Sequence, residues 1–168
     1  MIYFVGYMGV GKTRIAKKLG DNLGLLVCDT DQEIEKQEKT CIKNIFMKKG
    51  ENYFRKKETD LLKKINDKLI ISCGGGTAVY NNNMTIINNK GISIYLRASH
   101  SYLYEKLKNN NKNRPLISNI SSEDLEKHIK KDLSNREIFY NKAKYTVNIE
   151  NKSDYEILRE IKTLILSA

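Results

Sequence analysis

The segment GYMGVGKT, Gly6 to Thr13, matches the pattern G-x-x-x-x-G-K-[ST] at every fixed position. Glycine leaves backbone amides bare and costs conformational entropy, so three glycines in six positions mark a loop with a compensating use. That use is to hold a phosphate. The amides of Gly9, Val10, Gly11, Lys12 and Thr13 would turn inward, and the helix that follows would offer its positive N-terminus. Lys12 would reach the group being transferred, and the Thr13 hydroxyl would ligate magnesium. A second candidate is DTD, Asp29 to Asp31, two carboxylates placed just after an apolar run. If that run is a strand, they stand at the carboxyl edge of a sheet, where α/β proteins bind ligands. A catalytic role for one or both is the functional reading, and a helix N-cap at Asp31 is the ordinary alternative. A guanine switch is disfavoured, because the fourth apolar run leads into RASHSYLYEKL and not into an Asn-Lys-x-Asp.

These groups need a scaffold, and the hydrophobic pattern describes one. Ile2 to Val5, Leu25 to Cys28, Leu69 to Cys73, Ile92 to Leu96 and Tyr145 to Ile149 read as short buried strands. Between them, helical spacing runs over Thr13 to Leu23, over Cys41 to Lys49 before Gly50, and from about Tyr53 to Ile65. Further helices are expected over Ser99 to Lys108, Ser121 to Ala143 and Ser153 to Ala168. The last two open with capping-box spacings, Ser121 to Asp124 and Ser153 to Glu156. Alternation of strands and helices implies parallel pairing through right-handed crossovers. The expected fold is therefore an α/β three-layer sandwich around a five-stranded parallel sheet. One polar, asparagine-rich segment, Lys108 to Asn119, contains the only proline and fits no element. It reads as a lid over about 108–120, with Arg114 as a charged tip beside Pro115, or else as an ordinary surface loop.

The totals bound the rest. A chain of 168 residues with no Pro- or Gly-rich linker is expected to be one domain, 1–168. No window approaches the roughly 18 to 20 apolar residues of a membrane span, and the first strand leaves no room for a targeting segment before it. Cys28, Cys41 and Cys73 are too few and scattered for a disulfide framework or zinc site, which points to the reducing cytoplasm. The formal charge of +10 raises the possibility of a nucleic-acid partner, but the lysines are dispersed and interleaved with acids, as in KKETDLLKK. They read as a solvated surface with some long-range attraction for anionic substrates. Neither nucleic acid nor membrane is expected as a partner. A monomer is expected, because no strongly apolar surface helix asks for a second chain.

Six motifs together resemble the shikimate kinase family: GYMGVGKT at Gly6 to Thr13, DTD at Asp29 to Asp31, GENYFRKKE at Gly50 to Glu58, CGGGT at Cys73 to Thr77, RPL at Arg114 to Leu116 and REIFY at Arg136 to Tyr140. They span nearly the whole chain in family order. The resemblance implies the architecture of a nucleoside monophosphate kinase with a mobile lid. It also implies transfer of the γ-phosphoryl of ATP, with Mg²⁺, to the 3-hydroxyl of shikimate, a step toward chorismate and the aromatic amino acids. Carried over by position, Asp31 would hold the acceptor hydroxyl and act as base, and Arg55 and Arg136 would bind the shikimate carboxylate. Gly75 and Gly76 would bring backbone amides to the substrate, with Gly74 keeping the turn tight. Asp29 would act on magnesium through water, Arg114 would close on the phosphates, Phe46 and Phe54 would line the acceptor pocket, and Glu58 would orient an arginine.

Planar guanidinium forks are the physical match to a carboxylate, which supports Arg55 and Arg136 independently of the resemblance. The competing reading pairs each with Glu58, Glu51 or Glu137 on a helix surface. The match thins at the adenine side, where Lys106 or Lys108 and the loop after Ile149, NIENKSD, are the candidates without a choice between them. Two rivals stand beside this reading: another small-molecule kinase of the same fold, for gluconate or a nucleoside monophosphate, and a binding protein that has lost catalysis.

Overall fold

Ile2–Val5 (β1) is apolar at every position and buried at every position, which is the pattern of a strand covered on both faces. In the computed structural model, which describes residues 1–108, 117 and 120–167, this strand lies at the centre of a five-stranded sheet. The elements follow as α1 (Lys12–Leu23), β2 (Val27–Asp29), α2 (Thr30–Glu38), α3 (Ile42–Lys49), α4 (Glu51–Lys64), β3 (Ile70–Ser72), α5 (Asn83–Lys90), β4 (Ile92–Arg97), α6 (His100–Leu107), α7 (Ser122–Tyr140), β5 (Tyr145–Asn148) and α8 (Asp154–Leu166). The strand order is β2-β3-β1-β4-β5, and every pairing is parallel. Ile2 stands beside Ile70 on one side and Ile92 on the other. Burial follows this order. The inner strands β3 and β1 are buried throughout, whereas the edge strands β2 and β5 are half covered.

The α/β layering and the five strands agree with the sequence reading, and β2 runs Val27–Asp29 where Leu25 to Cys28 was expected. Two helices were not foreseen. Helix α2 buries only Thr30 and Ile34, too few apolar positions to make a stripe. Helix α5 lies in an asparagine-rich stretch without a clear apolar period, yet it buries Met84 and Ile87 one turn apart. Helix α4 starts at Glu51, a half-turn earlier than expected. At its other end Lys90 Nζ donates to the carbonyls of Leu62, Lys63 and Ile65 at 2.8, 2.6 and 2.8 Å, closing off the orphan acceptors of the last turn. Both expected caps form: Ser121 accepts from the Asp124 amide, and Ser153 with Glu156 makes the full reciprocal box. Among the described residues no helix is long and apolar enough to cross a membrane.

Parallel strands all point their carboxyl ends the same way. The loops after β1, β2 and β3 therefore meet at one edge of the sheet, and these are the loops that carry GYMGVGKT, DTD and CGGGT.

Candidate active site

The loop after β1 turns on glycines at φ values of 83° (Gly9) and 92° (Gly11), a region that side chains other than glycine rarely enter. Gly11 caps α1, so that helix points its N-terminus into the loop. Lys12 is buried and its Nζ donates to the carbonyls of Gly6 at 2.7 Å and Tyr7 at 2.9 Å, across the mouth of the loop. Thr13 donates to Asp29 Oδ2 at 2.6 Å and lies 3.1 Å from the Ser72 hydroxyl at the end of β3. Asp29 is also the N-cap of α2, its Oδ1 accepting from the amides of Asp31 and Gln32. The N-cap considered for Asp31 thus falls on Asp29, because β2 extends one residue further than expected. Hard oxygen donors gathered from Thr13, Asp29 and Ser72 suit a magnesium ion, which takes few protein ligands and keeps the rest for water and phosphate.

Next to this loop lies a cavity of about 460 Å³ lined by Lys12, Thr13, Asp29, Asp31, Ser72 and the glycine turn at Gly74 and Gly75. The turn fits around charged side chains. A Cβ on Gly74 would collide with Asp31 Oδ1, and one on Gly76 with the Arg55 guanidinium. A side chain at either position would have to displace the charged group that now sits against it.

Asp31 opens onto the cavity but is surrounded by protein beyond it. Desolvation, followed by the charges of Glu58 and Asp29, pushes its carboxyl up from 3.8 to about 7 against the pull of Lys12 and Arg55. Arg55 is buried on α4. Its Nε and Nη2 donate to Glu51 at 3.0 and 2.8 Å, and its Nη1 donates to Glu58 at 2.8 Å. Both pairings that compete with a ligand role for Arg55 are therefore present, the one with Glu58 fully buried and the one with Glu51 reaching a carboxylate that is partly exposed. Glu58 is fully buried and also accepts from the Thr77 hydroxyl at 2.5 Å. The rings of Phe46, Phe54 and Tyr80 stand 5.8, 5.4 and 4.5 Å from the guanidinium carbon.

Arg136 is buried on α7. Its expected helix partner, Glu137, instead takes Arg97 and Tyr95, which lie on β4 beneath that face of the helix. Arg136 Nε donates to Asp132 at 2.8 Å, and its Nη1 is buried with no hydrogen-bond partner. Tyr140, one turn further on, donates to the Gly75 carbonyl at 2.5 Å and so ties this helix to the glycine turn.

On the other side of the phosphate loop a cavity of about 570 Å³ is bounded by Arg14, Tyr102, Lys106, Ile149, Lys152 and Ser153. Of the two lysines left open, Lys106 lines it, and Lys108 pairs with Glu105. Arg114 and most of the expected lid, about 108–120, lie outside the described residues.

Tyr7, Tyr80, Thr77 and Asp132 were not foreseen as neighbours of the candidate residues. A signal existed for α2: Asp29 followed three residues later by Gln32 has the spacing of a capping box.

The strand order, the phosphate loop at the central strand and the carboxylates at the adjacent strand end define a P-loop kinase of the nucleoside monophosphate kinase-like architecture. A solved deoxyadenosine kinase from M. mycoides shares this fold at a TM-score of 0.62 and 20% identity, over the full length of both chains. The family model for shikimate kinase matches residues 8–166, and the chain belongs to that family of kinases. It is 40% identical over 168 residues to the shikimate kinase of Flavobacterium psychrophilum, covering 98% of each chain. It superposes on the shikimate kinase from Acinetobacter baumannii, solved in complex with shikimate, with a TM-score of 0.89 and 32% identity over 99% of this chain and 92% of that one.

Proposed function

We propose that the chain transfers the γ-phosphoryl of ATP to the 3-hydroxyl of shikimate, giving shikimate 3-phosphate and ADP in the route to chorismate. The observation that carries this reading is Arg136, a permanently charged fork buried on the helix that Tyr140 ties to the glycine turn, with one nitrogen lacking a partner. A buried unpaired donor on a charged group is costly, and a carboxylate is the partner that fits it. Arg55 serves the same carboxylate from α4, exchanging part of its contact with Glu51 for the ligand. Gly75 and Gly76 let the backbone come close.

In the transfer, a bond forms between the shikimate O3 and the γ-phosphorus while the bond from that phosphorus to the β,γ-bridging oxygen breaks. The hydroxyl proton passes to Asp31, which its own burial, followed by the charges of Glu58 and Asp29, keeps basic enough to accept it. The transition state is loose, so positioning and charge neutralisation do most of the work. Asp31 holds the hydroxyl in line, and Lys12 leaves its loop carbonyls for the transferring group. The amides of Gly9, Val10, Gly11 and Thr13 hold the phosphates, and Arg114 closes on them from the lid. Thr13 and, through water, Asp29 would hold Mg²⁺, with Ser72 near by. When bound, the metal neutralises phosphate charge. The cavity at Lys106 and the loop after Ile149 takes the adenine. The chain acts as one domain, as a monomer in the cytoplasm, with no nucleic-acid or membrane partner.

The test is ADP release with ATP and Mg²⁺, with and without shikimate, using quinate, gluconate and AMP as competing acceptors. Strong stimulation by shikimate alone is expected. Turnover on another acceptor without response to shikimate would overturn the acceptor assignment.

A further inference from the structure

Asp132 lies outside every motif of the sequence reading, yet its carboxylate joins two of them. Its Oδ1 accepts from Arg136 Nε at 2.8 Å, and its Oδ2 accepts from the Tyr7 hydroxyl at 2.8 Å. An Asp–Arg pair one turn apart on a helix is commonplace and by itself adds little. The second oxygen is the uncommon part, because it reaches a fully buried tyrosine inside the phosphate loop. Burial and the neighbouring Asp132 raise the Tyr7 phenol well above its ordinary value, so it stays a donor. The Arg136 guanidinium also faces the Tyr7 ring, 5.6 Å from its centroid. With its Nε edge taken and one face covered, Arg136 keeps a buried, unpartnered Nη1.

We propose that Asp132 and Tyr7 are positioning residues for the acceptor: they fix the Arg136 fork so that its Nη edge meets the substrate carboxylate. This rests on the assignment of Arg136 to the acceptor made above. A long arginine side chain surrenders considerable rotamer freedom on binding a ligand, and a clamp that orders it beforehand removes that cost from the acceptor's affinity. Tyr7 joins the clamp to the nucleotide loop, so the carboxylate end of the acceptor is registered against the same loop that holds the phosphates.

The experiment is steady-state ADP release by the whole enzyme with shikimate and ATP varied separately, for the parent, Tyr7→Phe, Asp132→Asn, Asp132→Ala and the Tyr7→Phe/Asp132→Ala pair, each with a melting curve. Asp132→Ala is expected to raise the shikimate KM about tenfold or more and Tyr7→Phe about threefold, with the ATP KM moving less than about threefold. The pair should be little worse than Asp132→Ala alone, because both act through one carboxylate. An unchanged shikimate KM overturns the proposal. So does a parallel rise of both KM values with a fall in melting temperature, which is the signature of a structural role. If Asp132→Ala does not fold, Tyr7→Phe and Asp132→Asn, which keep the ring and the side-chain volume, decide by the same criteria. A parent that ignores shikimate fells the acceptor assignment and this proposal together. A shikimate-dependent parent with unaffected variants fells this proposal alone.

Discussion

In the role proposed for it, Asp31 helps catalysis at the expense of the fold. Its raised carboxyl means that the folded protein keeps a proton that the unfolded chain has already lost between about pH 4 and 7. Stability therefore falls as pH climbs through that window, and above it the full penalty remains. Asp31→Asn, an isostere of the protonated acid, is expected to melt higher than the parent at pH 8, by roughly 1–3 kcal/mol after allowance for water in the cavity. The gain should vanish below about pH 4, which melting curves across pH will read. The same substitution should lower kcat by on the order of a hundredfold or more, chiefly by misplacing the hydroxyl. The parent's kcat should fall on the acid side of about pH 7, and the residual activity of the variant should lack that limb. Asp31, Arg55 and Arg136 were legible in the sequence because each sits in a short motif. Tyr80 and Asp132 were not, since their contacts to Arg55 and Arg136 depend on how α4 and α7 settle in the fold.

Elements whose apolar residues recur with a clear period are legible in the sequence, and those held together by other means are not. The five strands were visible as apolar runs, but α2 carries a single buried aliphatic residue, Ile34, and is held by its cap and its neighbours. Helix α5 was hidden by asparagines, two of which, Asn81 and Asn82, adopt φ values of 53° and 55° in the turn that launches it. Its last residue does work that no local pattern announces. Lys90→Met should cost about 1–2 kcal/mol by leaving the carbonyl end of α4 without its cation, measured by urea denaturation. Ser153→Ala, which removes a complete capping box from α8, should cost about 1 kcal/mol in the same assay. Both variants should keep the parent's shikimate KM.

For the molecule as a whole, the excess of basic residues becomes a kinetic property. A net charge of +10 surrounds a site proposed to take two anions, ATP and a carboxylate acid. The kcat/KM for shikimate is expected to fall as ionic strength rises from about 0.01 to 0.15 M, while kcat changes little, since screening acts on encounter and not on the closed site. A slope of zero would show that the lysines act only as a solvated surface.

The placing of β1 between β3 and β4 sets the order in which the protein can be made. The ribosome releases β1 and its phosphate loop first, but their lateral partners, beginning at Ile70 and Ile92, emerge only after α1 to α4 and after α5. Loop closure over such separations is slow, and an apolar strand without neighbours is exposed meanwhile to aggregation. A nascent chain arrested after α4 should carry the complete nucleotide motif and yet fail to be retained on immobilised ATP, with retention beginning only once the loop after β5, which closes the adenine cavity at Ile149 to Ser153, has cleared the exit tunnel. The earliest motif in the chain is thus among the last to become competent, and cells short of chaperones should lose this enzyme during synthesis more readily than after it.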